Sequence, residues 1–368
     1  MKKIITTLGT ILFLISGTAC GTEDGGGSIQ PPKSDGGSDT EEPVTFDPNA
    51  TLKIATWNIE GPSSTNSKNL GYWPNRREQV ARVIKSEDFD IFGTQETTKE
   101  MLNDICKDLP AYKWIGSYRK DAPYVNAIIW KKNRFELLEN GAFYYSETPD
   151  VPNTCWPDDV GQKDLNCLWA KFKDLKTGIE FYHFNTHQHA NYQSGPEGAL
   201  RDTIRCRDAR ILKDKMVKIA GESFAFCTGD FNSSDDWYDN FSGEFLHVAR
   251  PSWVELLKGG ILLDARRLAT KTKNEHESSI PGWDVTGTSQ NDSKYDHIFM
   301  NASIAQDYEV TMYEVIKIGF DMTHKGASFT MNGKFLETGY SFHRNLSDHR
   351  PVSITVKFNW SENDEMPE

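Results

Sequence analysis

Four apolar runs, at 52–55, 91–92, 181–184 and 224–227, each end in a short polar string, and no other feature of the chain constrains its fold as much. Runs this short and apolar read as buried strands. The strings Thr56-Trp57-Asn58, Thr94-Gln95-Glu96, Asn185-Thr186-His187 and Gly229-Asp230-Phe231-Asn232 therefore fall at strand C-terminal ends. Asp296-His297 and Ser347-Asp348-His349 stand beside two later strand patterns, 294–300 and 352–358. Strands that deliver polar groups to one rim of a sheet build a site there.

Between these strands the periodicity predicts helices over 76–86, 97–109 (Thr97 as N-cap) and 197–220, the last carrying a stripe of Leu200, Ile204, Ile211, Leu212, Met216 and Ile219. Short strands at 112–118, 125–131, 135–138 and 168–172, joined by turns, point to antiparallel pairing. Two stacked mixed sheets with helices outside both would bury this pattern; a parallel sheet with regular crossovers would not. The expectation is an α+β chain.

The ends are of another kind. Lys2 and Lys3 precede an uncharged run too short to span a bilayer comfortably, and Gly17-Thr18-Ala19-Cys20 resembles a bacterial lipoprotein processing site, without the usual Leu three places before the cysteine. Residues 1–19 are expected to be a signal peptide, with Cys20 lipidated. The expected location is the cell envelope, on the outer membrane facing the periplasm or the cell surface, the lipid being the only membrane contact. Residues 20–48, rich in Gly and Pro, read as a disordered tether, 49–360 as one catalytic domain acting as a monomer, and 361–368 as a polar tail. Of the total charge of −12, residues 20–46 carry −5 and 361–368 carry −4 against +2 in 1–19, which leaves −5 for the core. Such a core excludes a broad DNA-coating basic surface, but not a site where a cation neutralises one phosphate. With Cys20 spent on lipid, Cys155 and Cys167, flanking a Pro/Asp/Gly loop, are the expected disulfide; Cys106, Cys206 and Cys227 read as buried thiols.

The strings themselves hold the parts that phosphate-ester hydrolysis needs: charge neutralisation, an activated water and help for the departing oxygen. Glu96 is a hard oxygen ligand of the kind Mg²⁺ accepts, with Mn²⁺ as the substitute, and Asn58 can orient it or bind alongside. Gly229 permits a tight turn, Asp230 can orient a water or take its proton, and Asn232 can donate to a phosphoryl oxygen. Asp296 is the candidate to orient His349, while Asp348 faces the metal or the water. His187 can donate to phosphate in its charged form; with His189 it makes a His-x-His pair that suggests zinc only weakly, since further His or Cys ligands are missing.

Together these residues resemble the endonuclease/exonuclease/phosphatase superfamily, which includes deoxyribonuclease I-like nucleases, exonuclease III-like repair enzymes, bacterial sphingomyelinases and inositol polyphosphate 5-phosphatases. The resemblance covers nearly all of 51–358 and extends to secreted bacterial members with a Trp-x-x-Arg loop (Trp73 to Arg76) and a Ser-Glu-Thr-Pro element (Ser146 to Pro149). It implies a four-layer α/β/β/α sandwich with the site at one end of the paired sheets. It places Asn58 and Glu96 on the metal side, and His187, Asp230, Asn232, Asp296, Asp348 and His349 among phosphate and proton-transfer residues. Arg205 falls where many members have a structural or substrate-side arginine. Two departures stand out: Val125 replaces a frequent Tyr, leaving Tyr124 one place earlier as a substrate-side candidate, and Gln188-His189-Ala190 replaces Leu-Asp-His. Trp283, the 155–167 loop and the long 319–345 connection are expected to shape the substrate rim.

The function expected from sequence is thus a Mg²⁺-dependent phosphodiesterase or phosphatase outside the cytoplasm. Two alternatives remain, an extracellular nuclease with DNA or RNA as substrate and a sphingomyelinase-like phospholipase C. A nuclease would expose basic and aromatic groups along a groove, and Lys271, Lys273, Trp283 and Lys294 are too scattered to show one. The phospholipase would need an exposed apolar hairpin, for which 327–331 is the candidate.

Overall fold

In a computed structural model, the residues described are 28–29, 44–62, 71–120, 122–159, 164–190, 195–239, 244–246, 248–283, 293–303, 305–317, 320–323, 329–331, 334–336 and 341–359. The signal peptide, Cys20 and the tail at 361–368 lie outside them, as do most of the tether and parts of the 319–345 connection; of the 327–331 hairpin candidate, Phe329–Met331 is described and pairs antiparallel with Lys334–Leu336.

In chain order the principal strands are β1 (Leu52–Asn58), β2 (Ile91–Thr97), β3 (Tyr112–Arg119), β4 (Ala122–Lys131), β5 (Phe135–Tyr144), β6 (Asn166–Asp174), β7 (Glu180–His187), β8 (Phe224–Asp230), β9 (Asp296–Asn301), β10 (Tyr308–Val315) and β11 (Val352–Phe358). The principal helices are α1 (Trp73–Glu87), α2 (Lys99–Asp108) and α3 (Gly195–Ala220). One sheet runs β3-β4-β2-β1-β11-β10, extended at its ends by Ser28–Ile29 and Thr272–Lys273; the other runs β9-β8-β7-β6-β5, with Leu262–Asp264 beside β9. β1 with β2 and β7 with β8 are parallel, and the remaining pairs of principal strands are antiparallel, so both sheets are mixed.

Alternation along the strands makes the layers. Ile54, Ile91, Ile115 and Ile128 of the first sheet meet Leu168, Phe181, Phe226 and Ile298 of the second in a core between the sheets. The other face of the first sheet packs on α1 and α2 through Trp57, Val83, Ile105 and Trp114. That of the second packs on α3 and a short helix, Pro251–Leu257, through Phe184, Leu212, Met216 and Trp253. Each large side chain enclosed in these cores contributes roughly 1.5–3 kcal/mol. The expected four-layer sandwich is the fold. Among the described residues no helix is long and apolar enough to cross a membrane.

Local expectations shift at the ends. α2 is capped by Thr98, whose hydroxyl accepts from Met101 N at 3.3 Å, rather than by Thr97, which stays in β2. Ser28–Ile29 pairs with Gly116 and Ser117 of β3, so the stretch expected to be a tether contributes one short edge strand.

Candidate active site

Strand register brings the strings together. Asn58 pairs with Gln95, one residue before Glu96; His187 pairs with Asp230, and Asp230 with Asp296. The sheets are bolted just beneath this rim: Gln95 Nε2 donates to Asn185 Oδ1 at 2.7 Å, Thr228 Oγ1 donates to the same oxygen at 2.9 Å, and Asn185 Nδ2 reaches the carbonyls of Thr94 and Ala127 at 2.9 Å. Glycine at position 93 is what lets the sheets approach, since a Cβ there would lie 2.1 Å from Asn185 Oδ1. The last string is tied to the first, with Ser347 Oγ donating to Asn58 O at 2.7 Å and Trp57 Nε1 to His349 O at 3.3 Å.

Asp230 sits at the centre. Its Oδ2 accepts from Asn58 Nδ2 at 3.0 Å and lies 3.4 Å from His187 Nε2 and 3.7 Å from His349 Nε2, while Oδ1 accepts from Asn232 N at 3.0 Å. Burial lifts its carboxyl to about 7, with Asp296 adding to the rise and His349 opposing it. Behind His349, Asp296 Oδ2 stands 2.8 Å from Nδ1. Burial alone would strip this imidazole of its proton, but Asp296, Asp348 and Asp230 outweigh it and hold the ring charged well above the ordinary histidine range. Asp230, Asp296 and His349 offer ligand atoms within 4.8 Å of one another. With Asp296 on its Nδ1 and Asp230 near its Nε2, the imidazole is also placed as a proton relay.

The opposite side of the rim is acidic. Glu96 Oε1 accepts from the same Asn58 Nδ2 at 3.0 Å, and Glu60, two residues beyond Asn58, has a carboxylate that interacts with those of Glu96 and Asp348. Burial raises Glu60 to about 8, with Asp348 and Glu96 adding repulsion; Glu96 is raised too, by burial first and then Asp348. Glu60 Oε2 is enclosed without a hydrogen-bond partner. Arg76 is close, but its N–H groups go to the carbonyls of Ile59, Glu60, Gly71 and Leu346, so it braces the loops. Oxygen ligands short of positive charge suit a hard divalent ion, and Glu96, Glu60 and Asp348 are the residues that would hold it.

Several expectations change with this geometry. Asn58 is fully buried, gives its Nδ2 to two carboxylates and takes Glu60 N on Oδ1 at 3.0 Å, so it orients ligands instead of acting as one. Its amide turned over would set an oxygen against two carboxylates. His187 is neutral rather than charged: burial, then Arg119 and His349, lower it to about 3. Arg205 is fully buried, with Nη1 on His189 O and Nη2 on Asp202 Oδ1, both at 3.0 Å, and props the turn after His187 without facing substrate. Cys155 and Cys167 form no disulfide. Cys167 points from β6 into the core beside Cys227, whereas Cys155 sits in the half-exposed loop. Gly229 is a strand residue, needed because a Cβ there would come 2.5 Å from Thr186 O, and the turn falls at Asn232 with φ 49°. Tyr124 and Trp283 do border the site. Tyr124 lies against Gly61 next to Glu96, and Trp283 covers Arg76 with its centroid 5.4 Å from the guanidinium, beside the turn where Gly282 N donates to Asp348 O. Sequence reasoning missed Glu60, which stands two residues past Asn58 in left-handed backbone, and Arg119, the last residue of β3.

A family model described as "Endonuclease/Exonuclease/phosphatase family" matches residues 55–349. The chain belongs to that family. Its members are hydrolases of phosphoric esters. Among solved structures it is similar to an endonuclease/exonuclease/phosphatase family protein of Bacteroides thetaiotaomicron, at 27% identity and a TM-score of 0.67 over 85% of this chain and 99% of that one. It is also similar to a mannosyl-6-phosphatase of the same organism, at 27% identity and a TM-score of 0.64 over 83% and 99%. An uncharacterized protein of Acanthamoeba polyphaga mimivirus is 27% identical over half of this chain and 68% of its own length.

Proposed function

We propose that this chain is a Mg²⁺-dependent hydrolase of phosphate esters, a phosphatase or phosphodiesterase, that works outside the cytoplasm from a lipid anchor at Cys20. The observation that carries it is the two-sided rim: Asp230 between His187, His349 and Asn58 on one side, three carboxylates on the other. A divalent ion bound to those carboxylates supplies the charge that the phosphoryl oxygens need. Asp230, lifted toward neutrality by burial, takes a proton from the attacking water as the new O–P bond forms. His349, kept charged by Asp296, positions that water, while the departing ester oxygen, on the opposite side of phosphorus, takes its proton from solvent. His187, as a neutral donor, and Asn232 hold the phosphoryl group.

The amino-terminal Lys2-Lys3, the uncharged run and Cys20 support the location. Nuclease and sphingomyelinase activities use the same chemistry, and screening plasmid DNA, RNA, sphingomyelin and sugar phosphates separates them. Glu96→Ala and His349→Ala are each expected to remove most p-nitrophenolate release from p-nitrophenyl and bis-p-nitrophenyl phosphate, a loss on the order of 10²-fold or more, with circular dichroism unchanged. Wild-type activity in both variants rejects the site. The activity of the full chain should sediment with membranes and turn soluble in Cys20→Ser; a soluble wild type rejects the anchor.

A further inference from the structure

We propose that Arg119 reads the second negative charge of a terminal phosphate and so makes this site selective for phosphomonoesters over diesters. The inference rests on the hydrolase reading above and assigns a residue to its specificity. Along β3, Trp114 packs toward the helices and Ile115 into the core between the sheets; Ser117 follows Ile115 on that inner face, fully buried, and Arg119 is next. The strand ends there, so the guanidinium is delivered between the sheets at the rim where the polar strings converge. Pairing with β4 shifts at this point: Tyr118 faces Val125 but Arg119 faces Ala122, which leaves Tyr124 bulged out against Gly61 and Glu96.

The backbone beneath is fixed from the other sheet. Tyr118 O accepts from Asn166 Nδ2 at 3.2 Å, and Asn166 O accepts from the hydroxyl of Thr186, the residue before His187, at 3.2 Å. Arg119 is thereby held where the acidic side of the site meets the phosphoryl side. Its charge interacts with Glu96 on one and His187 on the other, and His349 is the second cation acting on both.

A diester carries one negative charge over two non-bridging oxygens; a terminal phosphate above its second ionisation carries two over three. The planar fork of a guanidinium fits the extra oxygen and neutralises the extra charge. Asp164, then Glu96 and Asp159, are the carboxylates whose charge acts on Arg119, and Glu60 lies beside Glu96. The substrate class is therefore a phosphomonoester.

The test is steady-state kinetics on the full chain with p-nitrophenyl phosphate and bis-p-nitrophenyl phosphate, comparing wild type, Arg119→Ala, Arg119→Lys and Glu96→Gln. Wild type should favour the monoester. Arg119→Ala should lose about 10²-fold in kcat/KM on the monoester and no more than about threefold on the diester, with Arg119→Lys between. Inhibition by inorganic phosphate should weaken in Arg119→Ala while that by dimethyl phosphate stays. Equal losses on both esters, or an unaltered monoester rate, overturn the assignment. Glu96→Gln separates the two layers of inference: loss of both activities there upholds the hydrolase site whatever Arg119 does, and full activity there brings down the hydrolase reading itself.

Discussion

Glu60, Glu96 and Asn232 all hold left-handed backbone, with φ of 53°, 57° and 49°. For glutamate this conformation costs about 1–3 kcal/mol, and it persists where surrounding bonds over-determine it. Glu60 is pinned by Asn58 Oδ1 on its N–H and by Arg76 on its carbonyl. Strain is accepted at the positions that aim groups into the site. The Asp296–His349 pair was legible in sequence, because an acid opening one strand and an imidazole before the last can meet across a rim. Arg119 was not, since nothing along the chain announces that a strand's last residue faces another sheet. The cysteine pairing failed for a related reason: proximity in sequence says nothing of Cys167 turning into the core beside Cys227. Asp296 is what keeps the proton on His349, so Asp296→Asn should lower kcat by about 10²–10⁴-fold. It should also move the alkaline limb of kcat/KM to lower pH, because the imidazole then releases its proton more readily. A pH profile of wild-type shape in that variant contradicts the relay.

At the scale of elements, the apolar runs located the strands with their order and the long stripe located α3, but the ends were set by contacts no run displays. β5 runs on through polar Glu139 and Asn140 to Tyr144 because its backbone continues to pair with β6. The loop after Tyr145 is held to α3 by side chains. Trp156 Nε1 donates to Asp208 Oδ1 at 2.7 Å, Arg207 stacks 4.6 Å from the Trp156 ring and binds Asp158, and buried His189 joins Asp159 and Asp208 at 2.8 Å each. Burial lowers His189, but Asp208 and the hydrogen bonds of both carboxylates more than reverse this and lift it to about 9. The clasp is charged at neutral pH. Its folded value exceeds the unfolded one of about 6.5, so the stabilisation is complete below that pH and is lost as pH rises through about 9. His189→Gln should cost about 3–5 kcal/mol at pH 7, since two buried carboxylates lose their cation. The urea midpoint of wild type should fall between pH 7 and 10 by more than that of the variant; parallel curves would show that the clasp contributes nothing.

For the whole molecule, the site sits where two sheets, each with its own outer layer of helices, come together, so charge there is a property of how they assemble. β1 and β2 bring Asn58 and Glu96, the segment before β11 brings Asp348, and the second sheet brings His187, Asp230 and Asp296. Folding buries Glu60 and Glu96 and gathers them with Asp348 at one edge, and the cost, burial first and mutual repulsion second, reappears as elevated Glu60 and Glu96 protonation. An ion that binds the folded state alone offsets it by mass action, roughly 2.7 kcal/mol at a hundredfold excess over Kd. Mg²⁺ is therefore expected to raise Tm by several degrees over a sample in EDTA, and Ca²⁺, which prefers more ligands than this rim supplies, by less. Glu96→Gln should do two opposite things: raise Tm in EDTA, where it removes repulsion, and abolish the response to Mg²⁺. A purely structural Glu96 would lower Tm in both conditions and leave the Mg²⁺ response intact, and calorimetric scans of the two proteins with and without Mg²⁺ decide between these outcomes.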